Sequence, residues 1–385
     1  MTDRDKETKS ILEKDALIKV QTLARRLRKQ NNKEDFNIDY TLPIGYEERV
    51  GHLNNRPVKR IIIYLRSTGC EWVKKTGGCT MCGFYGVTTH GKKISEDEYT
   101  SQLKYILNEV DLNDYPIVCI YNDGNILNEN EVPITALEKM FKMINEYKKV
   151  KKVVIESRIE YATEDRVKRV LQSMDGKNLE IAFGFETSNQ EIMKLCINKG
   201  FSLNNFNHFY PHLRQIDVSI RPLLLLKPPF LTEGEAIADV LSTVDYLFER
   251  GIHDIDLEVT TVQKNTVVHQ LWVNNLYRPP WLWSIVEILL KCKNKYQDRL
   301  HFYISPWEYS IESIDKVRNC GKCDKKLKEY INLYNQNFDT TVFKDLECSC
   351  KDRWRDAIQE KNILTIPERI INQLETIERL TGNRE

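Results

Sequence analysis

Long apolar runs are missing from this chain. No stretch of 18 or more apolar residues occurs in its 385 positions, so no segment has the length of a membrane-spanning helix. Residues 1–30 carry too many charges for a signal peptide, and the expected location is cytoplasmic, with no membrane partner. An excess of one charge sign is missing too. The net charge of +1 excludes a general polycation, so any nucleic-acid contact must come from local patches. Internal repeats and low-complexity segments are absent beyond an alternation of strands and helices. What remains is an ordinary globular composition. At 41% apolar residues the chain can bury a full core, as one large domain or as a main domain with appendages.

Cysteine is not scarce. Ten cysteines in a chain expected in the cytosol point to metal or redox chemistry rather than disulfides, because seven of them fall in two clusters. Cys119, Cys196 and Cys292 lie in apolar patterns and read as small buried hydrophobes. The first cluster is the stretch RSTGCEWVKKTGGCTMCGFYG at residues 66–86, directly behind an apolar strand. Its Cys70, Cys79 and Cys82 are spaced C-x8-C-x2-C, one thiolate short of the four that a closed zinc or iron-sulfur site takes. A [4Fe-4S] cluster on three cysteines keeps one iron open, and the glycines of the loop let backbone wrap a bulky group. The competing reading is a zinc knuckle whose fourth ligand lies elsewhere, with His90 as the candidate.

Residues 1–32 read as a helix with an imperfect apolar stripe. Its segment ARRLRKQ carries Arg25, Arg26, Arg28 and Lys29, which suit either an RNA backbone contact or, as such runs more often do, a solvated face. From Lys59 onward the pattern alternates. IIIYL at 61–65 is β-branched and too short for a helix, so it reads as a buried parallel strand that delivers the cysteine loop at its C-terminal end. Ser95 with Glu98, Ser188 with Glu191 and Thr232 with Glu235 have the spacing of helix-opening caps. Six strand-helix units in sequence imply a parallel sheet, open or as an incomplete barrel, with functional residues at the C-terminal ends of the strands. LHFYIS at 300–305 would add one strand.

Beyond Pro306 the alternation stops and the second cysteine cluster begins. Cys320 and Cys323 in NCGKCD, with Cys348 and Cys350 in LECSCKD, make a strong metal-site signal. Structural zinc is the expectation, with an auxiliary iron-sulfur cluster as the alternative. The expected division is a helical extension at 1–50, a barrel at 51–306, and a small metal-binding and helical module at 307–385.

The three-cysteine loop ending CTMC, followed by alternating strands and helices, resembles the radical S-adenosylmethionine (SAM) superfamily, in the branch that includes the catalytic subunit of Elongator. The stretches IESRIEYAT, FGFETSNQEI, NKGF, LLKPPFLTE and YRPPWLWSIVEIL, spread over roughly residues 45–355, resemble its archaeosine-forming family. That resemblance implies an α/β fold, a partial (β/α)6 barrel with an N-terminal helical extension and a small C-terminal cysteine-rich module. It implies a [4Fe-4S] cluster on Cys70, Cys79 and Cys82, SAM chelated at the open iron, and a 5'-deoxyadenosyl radical after reduction. No catalytic side chain is assigned beyond the cluster.

The resemblance also assigns a SAM site. Met81 lies where backbone faces adenine, and Phe84 or Tyr85 is placed to pack on the nucleoside. Asp123, Gly124 and Asn125 stand where the superfamily has a turn contacting the SAM amino group; on residues alone NDGN is also an ordinary turn. Arg158 suits the SAM carboxylate and Glu156 the ribose hydroxyls, and alternation along the strand puts both on one face. Glu186 and Leu226 complete the cofactor set at two further strand ends. Lys199, which also reads as a routine helix end before glycine, and Lys227 are candidate substrate contacts.

The stretch from Thr260 to Leu289 is dense in aromatic and basic residues. Gln263, Lys264, His269 and Arg278 are candidate RNA contacts there, and Trp281 and Trp283 serve either stacking on RNA or a core helix. EVTTVQK stands where the family suggests an asparagine-rich stretch, a departure that bears on the substrate. The expected partners are tRNA carrying a lysine-modified 7-deazaguanine, archaeosine synthase, and an electron donor such as ferredoxin or flavodoxin. The implied reaction is lyase cleavage of a carbon-nitrogen bond that leaves the formamidine of archaeosine. Tailoring of a small molecule or peptide, and a non-catalytic tRNA-binding scaffold, are the alternatives.

Overall fold

The computed structural model describes residues 3–31, 38–54, 56–305 and 311–382. Helix α1 (Asp3–Asn31) precedes a hairpin of β1 (Gly45–Leu53) and β2 (Arg56–Leu65). A short α2 (Glu71–Thr76) lies within the cysteine loop. Five helix-then-strand steps follow: α3 (Glu96–Glu109) and β3 (Ile117–Asn122), α4 (Ile134–Asn145) and β4 (Lys152–Glu156), α5 (Glu164–Gln172) and β5 (Asn178–Glu186), α6 (Leu203–Gln215) and β6 (Ser219–Leu226), α7 (Glu233–Phe248) and β7 (Asp254–Val259). The chain closes with β8 (Val262–Gln263), α8 (Val267–Val273), α9 (Leu282–Tyr296), β9 (His301–Ile304), β10 (Ser313–Asp315), α10 (Asp324–Asn337), α11 (Cys350–Gln359) and α12 (Ile366–Gly382).

The main sheet runs β1-β2-β3-β4-β5-β6-β7-β9, parallel throughout except for the antiparallel β1. This is the expected partial (β/α)6 barrel, with β9 as the extra strand and β1 as an unforeseen edge. The break expected at residue 50 falls inside β1. GYEERVGHL hides that strand because an edge half open to solvent carries little apolar alternation. The other expected boundary, at 306, lies outside the described residues.

Alternation along β2 sets the layers. Ile61, Ile63 and Leu65 join the large core beneath the helices, while Ile62 packs with Cys119, Val154 and Ala182 on the opposite face. Cys119, Cys196 and Cys292 are all buried, as small hydrophobes should be. The Ser95–Glu98 and Thr232–Glu235 capping boxes are present. After β5 the cap is Asn189 rather than Ser188: its Oδ1 accepts from the amides of Glu191 and Ile192, one residue on, because the chain enters a π-helical turn.

Side chains bridge the gap between the sheet edges. Phe338 stacks on His52 of β1 and His301 of β9, at 4.6 and 5.2 Å between ring centres, and Arg60 lies over Tyr303. At the N-terminal ends of the strands, Arg221 donates to Glu180 at 2.6 Å and to Asp256 at 2.9 Å, with Lys152 also on Glu180. Burial would raise the Glu180 carboxyl, but Arg221 and Lys152 hold it near 2. A salt-bridged floor of this kind leaves the opposite end of the barrel for chemistry. No helix among the described residues is long and apolar enough to cross a membrane.

Candidate active site and metal centre

The cysteine loop follows β2 and lies across the C-terminal ends of β3, β4 and β5. Its attachments are mostly backbone. Thr80 N–H donates to Ile197 O at 3.0 Å and its hydroxyl to Cys196 O at 2.7 Å, while Gly83 N–H donates to the Gln263 side chain at 2.6 Å. Gln263, expected to touch RNA, thus anchors the residue after Cys82.

Asn125 is the hinge between loop and strand ends. Its Nδ2 lies 3.5 Å from Cys70 Sγ and donates to Glu131 at 2.9 Å, and its Oδ1 accepts from Arg158 N–H at 3.1 Å. Glu131 was not foreseen. It is 3% exposed and also accepts from the amides of Glu71 and Asn125 and from the Asn128 side chain. In the sequence it is one acidic residue in a polar loop, NENEVP, with no motif around it.

Charged groups of both signs surround the loop. Glu186, in the left-handed region at φ 59°, pairs with Lys199 at 2.7 Å. Gly184 makes that pair possible, because a Cβ there would lie 2.1 Å from Lys199 Nζ. Lys199 is held protonated against burial by Glu186 and then Cys79, so cofactor and substrate candidates here form one unit. Arg158 pairs with Glu160, not Glu156, and lies 5.0 Å over the Trp72 ring. Burial pushes the Glu156 carboxyl up to about 8, with Glu258 adding to it and Lys199 opposing. Burial likewise raises Asp123 to about 7, and its Oδ2 has no partner among the described residues.

Other candidates sit elsewhere or act differently. Leu226 is fully buried and its carbonyl accepts from Thr260, so it offers no side chain to a ligand. Lys227 is engaged with Glu233 at 2.7 Å inside the protein. Lys264 is exposed, and His269 is part-buried with its Nδ1 unpartnered among the described residues. Arg278 lies 3.8 Å over the Trp281 ring and donates to Arg318 O at 2.7 Å, which ties it to the second cysteine group. Trp281 and Trp283 are core residues of the α9 start, the packing alternative. Met81 and Phe84 are part-buried beside the loop cysteines.

The two thiol groups differ in geometry. Cys320, Cys323, Cys348 and Cys350 have all four Sγ atoms within 4.8 Å, with pairs at 3.9, 3.6 and 3.7 Å. Four thiolates about one ion at a metal-sulfur distance of about 2.3 Å have edges of about 3.8 Å, so the quartet fits a single tetrahedral ion. Asn319 and Trp283 each donate to a sulfur of the set at 3.3 Å.

Cys70, Cys79 and Cys82 are not part of a group as tight as that quartet among the described residues. His90, the alternative fourth ligand, stacks on Tyr85, and its Nε2 is buried with no hydrogen-bond partner among the described residues. Burial pushes the Cys70 and Cys79 thiols up to about 11, and a soft metal centre such as cluster iron would take them as thiolates. The donor set therefore fits a three-cysteine iron-sulfur cluster.

No protein-family profile matches the chain. It is similar to archaeosine synthase subunit beta of Methanosarcina acetivorans, at 32% identity over 307 residues, covering 80% of this chain and 87% of that one. A second archaeosine synthase subunit beta, from Thermococcus kodakarensis, is 27% identical over 306 residues, covering 79% and 93%. An uncharacterised protein of Methanocaldococcus jannaschii is 33% identical over 314 residues, covering 80% and 84%. Among solved structures, archaeal Elp3 of Methanocaldococcus infernus with an N-terminal deletion aligns at a TM-score of 0.46 and 15% identity, covering 62% of this chain and 59% of that one.

Proposed function

Because the chain belongs to the archaeosine synthase subunit beta family, we propose that it is the radical SAM lyase of archaeosine formation, cleaving the carbon-nitrogen bond of a lysine-bearing 7-deazaguanine in tRNA. The observation that carries this reading is the convergence of three part-buried thiols of one loop with charged residues at the C-terminal ends of parallel strands. When bound on Cys70, Cys79 and Cys82, a [4Fe-4S] cluster and SAM supply hydrogen-atom abstraction by a carbon radical.

The chain's own residues do the rest. Asn125 and Glu131 hold the loop against β3 and β4. Arg158 presents a fixed cation to the SAM carboxylate, and its stacking on Trp72 limits its rotation. At neutral pH Glu156 keeps its proton, so it can donate as well as accept toward a ribose or the substrate's polar chain. The Glu186–Lys199 pair places one charge of each sign beside Cys79, suited to an amino-acid chain that carries both.

The quartet holds zinc in this reading and fastens α10 and α11 to the barrel. The chain works with archaeosine synthase, takes its electron from a ferredoxin- or flavodoxin-type donor, and binds tRNA through local contacts.

The test is anaerobic reconstitution with iron and sulfide, then dithionite and SAM, assaying 5'-deoxyadenosine with and without tRNA carrying the lysyl deazaguanine. Formation that rises with that tRNA as archaeosine appears is expected. Cleavage indifferent to tRNA would move the substrate to a small molecule or peptide, and a filled cluster with no cleavage would leave a scaffold.

A further inference from the structure

Arg28 comes from α1, where the basic segment suggested an RNA contact or a solvated face. Arg26 and Lys29 do face solvent, but Arg28 is 6% exposed. Its Nε donates to Gly77 O at 2.9 Å, and its Nη2 donates to the carbonyls of Cys79 at 3.3 Å and Cys82. Nη1 is buried with no hydrogen-bond partner among the described residues. No described carboxylate forms an ion pair with this guanidinium; burial lowers its pKa, and the groups placed to offset that once ionised are Cys82, Cys79 and Cys70 in that order.

The approach is built, not incidental. Gln21, Arg25 and Arg28 recur on one helix face. Gln21 bonds to Asn198, which donates to Gly78 O at 2.8 Å, and Arg25 donates to Lys75 O at 3.0 Å. Backbone meets backbone at Gly77, in the left-handed region at φ 90°, where a Cβ would lie 2.7 Å from Arg25 N. One helix face is thus seated on the loop through its carbonyls, and Arg28 brings to the backbone of Cys79 and Cys82 a buried cation with no carboxylate partner among the described residues.

We propose that Arg28 is the built-in countercharge of the three-cysteine loop, a positioning residue that raises the reduction potential of the cluster held there. The inference rests on the cluster reading above. A three-thiolate cluster gains one electron from an external reductant while the guanidinium stays protonated, so no proton moves. A fixed positive charge in a poorly solvated site favours the form with the extra electron.

The experiment is an EPR-monitored dithionite titration of the full-length reconstituted protein without SAM, after iron and sulfide have been counted, for the wild type, Arg28→Met and Arg28→Lys. Arg28→Met is expected to show at least a tenfold lower ratio of reduced to oxidised cluster at a fixed potential, about 59 mV for a one-electron couple. Arg28→Lys is expected to stay near the wild type. Equal midpoints for wild type and Arg28→Met overturn the proposal while leaving the enzyme reading intact. If Arg28→Met takes up no cluster, Arg28→Lys decides. A cluster with a near-native midpoint supports the charge role; an empty site, or a midpoint moved as far despite the retained charge, makes Arg28 a strut only and overturns it. A wild-type chain that takes up no cluster overturns the enzyme reading and this proposal with it.

Discussion

The two cysteine groups use one kind of side chain to opposite ends. In the C-terminal quartet the sulfurs converge to within 4.8 Å and receive hydrogen bonds from neutral donors, Asn319 and Trp283. In the loop the three thiols form no such quartet among the described residues, and charged side chains lie around them: Arg28, Lys199, Arg158, Glu131 and Glu186. A closed four-thiolate site completes its ion and has only to be kept intact. A three-thiolate site that leaves a coordination position open must instead be held in shape and in charge by the surrounding protein, and the network around it reflects that need.

The largest effect expected from breaking this contrast is a clean exchange of phenotypes. Cys79→Ala should lose loop iron and drop SAM cleavage to background while the quartet keeps its metal. Cys323→Ala should do the reverse, emptying the quartet while the loop still takes up iron. A structural zinc site contributes on the order of 10 kcal/mol or more to folding, so Cys323→Ala should also lower the melting temperature more than any surface substitution. Metal analysis with thermal unfolding checks both. If either variant empties both sites, the two are one cooperative unit and the comparison fails.

How much of this was legible beforehand follows the same division. IIIYL, the C-x8-C-x2-C loop and the quartet were readable because each signal is local: a run, a spacing, a pair of short motifs. Arg28 was not, because its partners lie 49 to 54 positions away and its neighbours Arg26 and Lys29 are solvated. Lys227 looked like a ligand at a strand end, and only the approach of α7 shows Glu233 taking it. Strand β1 escaped because half of an edge strand faces water.

Glu131 lies between the legible and the hidden, and it allows a graded test. It accepts from two backbone amides and two side-chain amides, at 2.6 to 2.9 Å, which join the start of α2 to Asn125 and so to Cys70. In Glu131→Gln an amide group would face donors where an acceptor stood. Leaving buried donors unpaired costs about 1–3 kcal/mol each. The expected outcome is a lower melting temperature and reduced loop iron, with quartet metal unchanged. Unaltered iron uptake and melting would show that the loop holds its shape without this residue.

The smallest expected effect concerns charge alone. Burial, with Glu258 and then Asp123 and Glu186 against the pull of Lys199, lifts the Glu156 carboxyl to about 8, whereas an unfolded glutamate titrates near 4.3. Between those values the unfolded chain has released its proton and the folded chain has not, so stability falls as pH rises through the window and the penalty is complete above it. Glutamine imitates the protonated form and removes the slope. Glu156→Gln should therefore match the wild type near pH 4 and become progressively more stable than it as pH rises to 8.5, read from denaturant midpoints across the series. Quartet metal content should be identical in both proteins throughout. Parallel curves would mean that Glu156 ionises normally in the folded chain. A widening gap would mean that the site beside the loop carries one negative charge fewer at neutrality than its residues suggest, which leaves Lys199 and Arg158 less opposed there.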